Sequence, residues 1–361
     1  MEQKIIFLVG VGYVGEMLCH QLGKRDDVKE IIALDKEPQG EWCASLPKVT
    51  YIQHNMADDG WQDVVSAHAP DAVIHTAWQI RAMYGEAKEQ WRWNVDGSDK
   101  VFEFAFTQPS VKKLVYFSTA SSYSARKDNR FEHLFTEEEG FRDDDYIYAH
   151  EKKVTEDNLQ AMYNTIKSDG GTLPQVSIVR PAAVTGPRGR YMRIRFGLQS
   201  ALSGNLKGGF INRVITTLTS FVPATKGWVR QFIHEDDVSD IVTKFVLEEM
   251  DWDYNVFNIT PVSDAVYAKD MAQAVGKKIL PITPTMARLA FSFFWHTTRG
   301  RIPTCPGSWR FYSYPVLLSG EKLRKVYECK HTSKDAFQYT DGRYEEWVPD
   351  EHRRSESESK V

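Results

Sequence analysis

Apolar residues along the chain fall into short runs separated by stretches of helical periodicity. The first run, residues 4–9 (KIIFLV), ends in glycines and leads into a helix predicted over residues 14–23. Further runs occupy residues 30–35 (EIIALD), 49–53 (VTYIQ), 71–77 (DAVIHTA), 113–118 (KLVYFS) and 175–180 (QVSIVR). Residues 85–107 and 146–167 read as two long helices. Runs that are apolar at nearly every position belong to strands covered on both faces. Their alternation with helices gives a parallel sheet. The expected class is therefore α/β, a doubly wound parallel sheet. After residue 181 the regularity loosens and Gly and Pro become denser, as in TGPRGR (185–190), SGNLKGG (203–209) and RIPTCPG (301–307). Such stretches shape loops around a site. The charged, low-complexity end, HRRSESESK (352–360), reads as a disordered tail.

Composition narrows the function. The 361 residues carry 45 Lys and Arg against 49 Asp and Glu, a formal charge of −4. That balance lacks the basic footprint of a nucleic-acid binder. Four cysteines, Cys19, Cys43, Cys305 and Cys329, lie far apart without a C-x-x-C pair. They predict neither a zinc site nor a disulfide framework, and they suit a reducing compartment, hence a cytoplasmic location. The N-terminal apolar run is too short, and too soon followed by glycines, for a signal peptide. No stretch reaches the ~20 apolar residues of a membrane span. The nearest, Met286 to Trp295 (MARLAFSFFW), is expected to be a core or lid helix, with an interfacial helix as the alternative. Aromatic residues make up 12% of the chain, including ten Trp, and composition alone does not say whether they form core, ligand pocket or surface.

Two spacings carry chemistry. Gly10, Gly12 and Gly15 form G-x-G-x-x-G immediately after the first strand and at the start of a helix. The first glycine permits a tight turn, the second lets the backbone approach a pyrophosphate, and the third allows close helix–strand packing. The helix start, with Tyr13 and Val14, offers N–H groups and a positive dipole to phosphates. Asp35 ends the second strand 20 residues after Gly15, where a carboxylate accepts hydrogen bonds from ribose hydroxyls and repels a 2′-phosphate. NAD is thus expected over NADP, although Lys36 beside it weakens the preference. The second spacing is Y-x-x-x-K, Tyr148 and Lys152, one helical turn apart and so on one face. A nearby ammonium favours phenolate, so Lys152 is expected to lower the pKa of Tyr148 and make it a general base. Ser118, Thr119, Ser121 and Ser122, in VYFSTASSYS, are hydroxyls at a strand end able to hold a reacting oxygen.

The ordered set VGVGYVG, Asp35, VIHTAW, WRWNVDGS, VYFSTASSY, YAHEK, IVRPAAVTGP and VRQFIHEDDV resembles the extended short-chain dehydrogenase/reductase family over roughly residues 4–260. That family includes NAD-dependent epimerases and dehydratases such as UDP-galactose 4-epimerase. The resemblance implies a Rossmann-type NAD-binding domain over 1–181, with 231–260 returning to it. A substrate-binding or lid region would occupy 182–230 and 261–350, followed by the tail at 351–361. It implies a catalytic set of Thr119, Tyr148 and Lys152, with Asn94 supporting the site's architecture. Lys152 would also bind the nicotinamide ribose. His75, Thr76 and Ala77 match the strand end beside the cofactor, and Asn55 and Met56 match a position near adenine. Arg180 and Pro181 match a pair packed under the nicotinamide, with Ser118 also on the cofactor. Arg230 matches a contact to the substrate diphosphate, Asp237 matches an aspartate opening the next helix, and Ser121 joins Thr119 on the substrate.

The chain also departs from the pattern. Val9 stands where G-x-x-G-x-x-G has its first glycine, and Ser124 stands where a glycine commonly follows the tyrosine. Ala120 and Ser121 replace the Asp-Glu pair of sugar 4,6-dehydratases, which disfavours that water-loss chemistry. The leading expectation is hydride transfer at a secondary alcohol or ketone of a nucleotide sugar. Arg230 supports it, together with the loop holding Arg188, Arg190, Arg193 and Arg195. One alternative is an apolar, steroid- or flavonol-like substrate, suggested by Trp228, Trp252, Phe291, Phe293, Phe294, Trp295, Trp309 and Phe311. Another is a dinucleotide-binding protein without turnover. The resemblance further implies a homodimer through the two long helices, with Trp91, Trp93, Phe102, Phe104 and Phe106 available for it.

Overall fold

The computed structural model describes residues 3–142, 145–186, 221–262, 265–274 and 277–338. Arg188, Arg190, Arg193, Arg195 and the tail 351–361 lie outside the described residues.

Seven parallel strands form the central sheet: β1 (Lys4–Val9), β2 (Val28–Asp35), β3 (Val49–Gln53), β4 (Ala72–His75), β5 (Lys113–Phe117), β6 (Gln175–Pro181) and β11 (Tyr254–Ile259). Their spatial order is β11-β6-β5-β4-β1-β2-β3. The six runs read from the sequence are six of these strands, and β11 joins from beyond them along the edge of β6, Val256 opposite Ile178. Alternation along β1 divides the interior. Ile6 and Leu8 face a layer with Met17, Leu18 and Leu22 of α1 (Tyr13–Gly23). Phe7 and Val9 face a layer with Trp61, Phe102, Phe104 and Leu159. A sheet covered on both sides needs apolar residues at successive positions, which is why its strands read as unbroken runs.

The expected helix 85–107 is continuous over 87–107. It comprises α4 (Ala87–Trp91), a π-helical turn (Arg92–Asp96) and α5 (Gly97–Thr107). The turn contains Asn94, and widened turns of this kind favour functional positions because they re-aim a side chain out of the helical register. The second long helix, α6, spans Ile147–Ser168. Phe102 and Phe104 are buried in the chain's own core, Phe106 packs against it beside Tyr163, and Trp93 faces a cleft, so four of the five aromatics available for a dimer surface are used within the fold.

Around the sheet lie α2 (Glu41–Ala44), α3 (Trp61–Ser66) and α7 (Glu235–Leu247), which packs against α1. Three two-stranded pieces follow: β7 (Ala183–Thr185) with β10 (Phe232–His234), β9 (Val229–Arg230) with β12 (Val266–Tyr267), and β8 (Phe221–Ala224) with β13 (Lys278–Pro281). Two helices, α8 (Ala268–Ala274) and α9 (Pro284–Thr297), complete this part of the chain. Asp237 opens α7 and is buried. It accepts hydrogen bonds from Tyr327 (2.9 Å), the Lys330 N–H (2.7 Å) and the His331 N–H (3.2 Å), so it ties the C-terminal segment to the sheet domain.

Candidate active site

Strand β1 lies between β2 and β4, so the connections from its two flanking strands diverge and leave a crevice beyond the strand ends. A cleft of about 580 Å³ occupies this place. The glycines that form its floor have three different reasons to lack a side chain. Gly10 adopts φ +94°, and a Cβ there would sit 2.3 Å from the Ala77 nitrogen. A Cβ on Gly15 would sit 1.9 Å from the Gly10 carbonyl oxygen. Gly12 has nothing within 4 Å of its Cβ position, so its bareness leaves room in the cleft rather than relieving a clash. Thr76 fastens this loop, donating through Oγ1 to the Gly10 carbonyl (2.7 Å).

Asp35 accepts hydrogen bonds from the Val11 N–H (2.6 Å) and the Glu37 N–H (2.9 Å), which orients its carboxylate at the cleft wall. Lys36 pairs with Glu37 and lies 4.5 Å from the Trp93 ring centre, so its charge is already engaged. Asn55 and Met56 line the same end.

At the other side of the sheet's switch, Ser118, Thr119, Ser121, Tyr148 and Lys152 converge on the cleft with Pro181 and Ala77. The Thr119 hydroxyl accepts from the Ser121 N–H (3.1 Å) and is within hydrogen-bonding reach of the Tyr148 phenol. Lys152 donates to the Phe117 carbonyl (2.5 Å) and stands 3.6 Å from the centre of the Trp78 ring. Burial holds the Lys152 ammonium well below its ordinary pKa, against the attraction of Glu156 and Glu151. Burial likewise raises the Tyr148 phenol, and the Thr119 hydrogen bond only partly offsets it. The expected lowering of Tyr148 by Lys152 is therefore not met in the protein alone. Desolvation acts on both groups, and the ammonium is directed to a carbonyl and an indole face instead of the phenol.

Asn94 braces this wall. Its Oδ1 accepts from the Gln79 N–H (2.7 Å), and its Nδ2 donates to the Gln79 carbonyl (3.1 Å) and to Glu151 (2.7 Å). The loop bearing Trp78 and Gln79 is thus locked to α6, the helix that carries Tyr148 and Lys152.

His75 and Arg180 are not brought to the cleft. The His75 ring packs between Phe102 and Tyr116 and its Nε2 meets the Ser98 hydroxyl (2.8 Å), because strand alternation turns it into the core while Thr76 turns outward. Arg180 forms a buried ion pair with Glu156 and donates to the Tyr123 hydroxyl (2.6 Å), linking β6 to α6. Ser122 also faces inward, onto the Ala149 carbonyl (3.2 Å). Ser124, where the resemblance expects glycine, adopts φ +65° and ψ 129°, a conformation glycine enters more freely.

Arg230 lines the far part of the cleft with Gln231 and Phe311. It forms no hydrogen bond or ion pair with a described residue, and burial lowers its pKa. Of the eight C-terminal aromatics that suggested the alternative apolar substrate, only Phe311 lines the cleft; Trp228 is core and Trp252 packs on Phe245 and Phe257. Trp78, Gln79 and Ile80 line it without having been singled out in the sequence. Their signal was available, since they directly follow the strand-end motif HTA.

The fit for a dinucleotide is good. Gly12 leaves open space at the start of α1, Asp35 and Asn55 sit at one end, and the buried Ser118 hydroxyl at the other has no hydrogen-bond partner among the described residues. Among the described residues no cluster of His, Cys, Asp or Glu could hold a metal ion, and no helix is long and apolar enough to cross a membrane.

The model of the NAD dependent epimerase/dehydratase family matches residues 6–276. Among solved structures, the enzyme WbmG of Bordetella bronchiseptica, in complex with NAD and UDP, is 19% identical with a TM-score of 0.66, over 94% of this chain and 93% of that one. The dTDP-glucose 4,6-dehydratase of Bacillus anthracis, in complex with NAD, is 17% identical with a TM-score of 0.65, over 93% and 95%. The UDP-glucose 4-epimerase of Thermotoga maritima, with UDP-glucose, is 18% identical with a TM-score of 0.62, over 93% and 97%. At these identities the likeness is one of fold. No curated protein matches the chain.

Proposed function

Because the chain belongs to the NAD dependent epimerase/dehydratase family, we propose that it binds NAD and moves a hydride at a secondary alcohol carbon of a nucleotide sugar. The observation that carries this is the meeting of Thr119, Tyr148 and Lys152 in one cleft with the Gly10–Gly15 loop and Asp35. Asp35 faces the adenosine ribose, Gly12 and the start of α1 take the pyrophosphate, and Ser118 and Lys152 serve the nicotinamide end. Lys36, the one cation beside Asp35 among the described lining residues, is engaged by Glu37 and Trp93, which favours NAD over NADP.

Bound NAD supplies the hydride acceptor and a positive ring. The chain's own residues do the rest. Thr119 holds the substrate oxygen, and Tyr148 takes its proton as the carbon is oxidised and returns it on reduction. The added positive charge counters the burial that raises Tyr148. Arg230, half-buried at the far end without an anionic partner among the described residues, fits a diphosphate. Ala120 and Ser121 after Thr119 favour epimerisation or simple oxidation over 4,6-dehydration. Relatives in fold include enzymes solved with UDP and with UDP-glucose, which supports the same substrate class.

The test is incubation with NAD and a panel of UDP- and dTDP-sugars, reading reduced nicotinamide and sugar epimers. Epimer formation or reduced cofactor with a nucleotide sugar is expected. A protein that binds NAD but neither reacts with nor is thermally stabilised by any nucleotide sugar would sink this substrate class. A second reading, an apolar alcohol or ketone, draws on the cleft wall of Trp78, Trp93, Ile80 and Phe311, with Arg230 the one arginine among the described lining residues. Turnover of such a compound, with none of nucleotide sugars, would select it.

A further inference from the structure

Acidic residues are absent from one long part of the chain: residues 271–320 contain no Asp or Glu, while carrying Lys277, Lys278, Arg288, Arg299, Arg301 and Arg310. Arg310 pairs with Asp145; the other five form no ion pair with any described residue. Helix α9 lies in the middle of this stretch. It starts well, with Thr283 accepting from the Met286 N–H (3.2 Å) and Pro284 in the first turn. Its inner face is anchored by buried Ala287 and Trp295, by Phe291 against Tyr312, and by Trp295 against Tyr84.

The outer face runs against ordinary surface chemistry. Met286, Leu289 and Phe293, at helical spacing, are 52%, 65% and 62% exposed. In the strand just before the helix, Ile279 and Leu280 are exposed as well. A single exposed apolar side chain needs no explanation, but an aligned set among unpaired cations does.

We propose that α9 and its flanking cations form a docking surface for an anionic lipid bilayer, with Met286, Leu289 and Phe293 entering the headgroup boundary and Lys278, Arg288, Arg299 and Arg301 meeting lipid phosphates. Amphipathic helices lie on bilayers by this combination of apolar burial and charge attraction. Charge complementarity selects the occupant. A second copy would bring two sets of unpaired cations together, and a nucleic acid offers no apolar layer for the three large side chains. The loop holding Tyr84 also carries Ile80 and Trp78 of the cleft, so a docked protein has its cleft mouth near the bilayer.

The test is co-sedimentation of the full chain with vesicles of phosphatidylcholine alone and of equal parts phosphatidylcholine and phosphatidylglycerol. Binding to the anionic vesicles only, weakened by salt, is expected. Leu289→Glu with Phe293→Glu should abolish it with the melting temperature unchanged. Arg288→Gln, Arg299→Gln and Arg301→Gln should each weaken it roughly fivefold. No binding to anionic vesicles overturns the proposal, as does binding that survives the double substitution. A concentration-dependent dimer by light scattering that the same double substitution dissolves would overturn it in favour of a second copy. NAD binding and turnover play no part in these readouts.

Discussion

At the glycine-loop end of the cleft, where we place the adenosine, the loop, the helix start and Asp35 with its neighbours come from one short length of chain between Val9 and Glu37. At the opposite end, the proposed substrate side, Trp78, Thr119, Tyr148, Arg230 and Phe311 are drawn from across the whole fold. The first end is held by backbone: tight glycine turns and main-chain N–H groups on a carboxylate. The second is held by side chains bracing one another, as when Asn94 locks the Gln79 backbone to Glu151. Local spacing therefore specifies the nucleotide-binding end almost completely, whereas the reacting end depends on how separate elements dock.

The largest expected effect tests the chemistry of the distributed end. Tyr148→Phe should lower kcat by about 10²–10⁴-fold while leaving NAD affinity near its original value, because only the proton-transferring oxygen is removed. An equal loss of cofactor binding, followed by titration, would mean that Tyr148 serves the cofactor rather than the reaction.

A comparison within the glycine loop comes next. Gly10→Ala forces a Cβ onto the Ala77 backbone at positive φ and should lower the melting temperature as well as NAD affinity. Gly12→Ala meets no protein atom and should fold normally, yet lose NAD affinity at least as severely. Equal melting temperatures for the two variants would break the distinction between packing and ligand approach.

Arg230→Gln should raise KM for a nucleotide sugar by about 10–100-fold, the worth of a charge-assisted hydrogen bond, with little change in KM for NAD. Initial-rate kinetics with each substrate varied in turn would show the split. The smallest effect concerns the backbone under the site. Ser124→Gly relieves a positive φ worth about 1 kcal/mol but also removes the hydroxyl's contacts, the one from Arg126 (3.4 Å) among them, so unfolding in urea should show a net change of about 1 kcal/mol or less.

The order of elements, the strands that are buried on both faces and the nucleotide-binding turn were legible in the sequence, because each follows from residues close together in the chain. Periodicity placed β1 and β3 at their observed bounds and α1 and α6 to within a residue. Spacing likewise brought Tyr148 and Lys152 to one face of α6. What failed was the direction of individual side chains at strand ends. His75 and Arg180 sit in motif positions, yet pleat alternation and a buried partner, Ser98 for one and Glu156 for the other, turn them into the core. The phenol's acidity could not be read from Y-x-x-x-K either, since burial of both groups depends on Trp78 and the walls around them.

The aromatic excess shows the same limit: composition counted the rings without sorting them. Tertiary packing made Phe102 and Phe104 core, brought Trp78, Trp93 and Phe311 to the cleft, and left Phe293 on the surface. The sequence by itself determined the sheet, the glycine turn and the helix that carries Tyr148 and Lys152, because period and spacing act within a few turns of chain. Only the tertiary structure decided which side chains share the cleft, since burial, partner and orientation are set by residues well beyond a few turns of chain, from 23 positions away for Ser98 on His75 to 57 for Glu151 on Asn94.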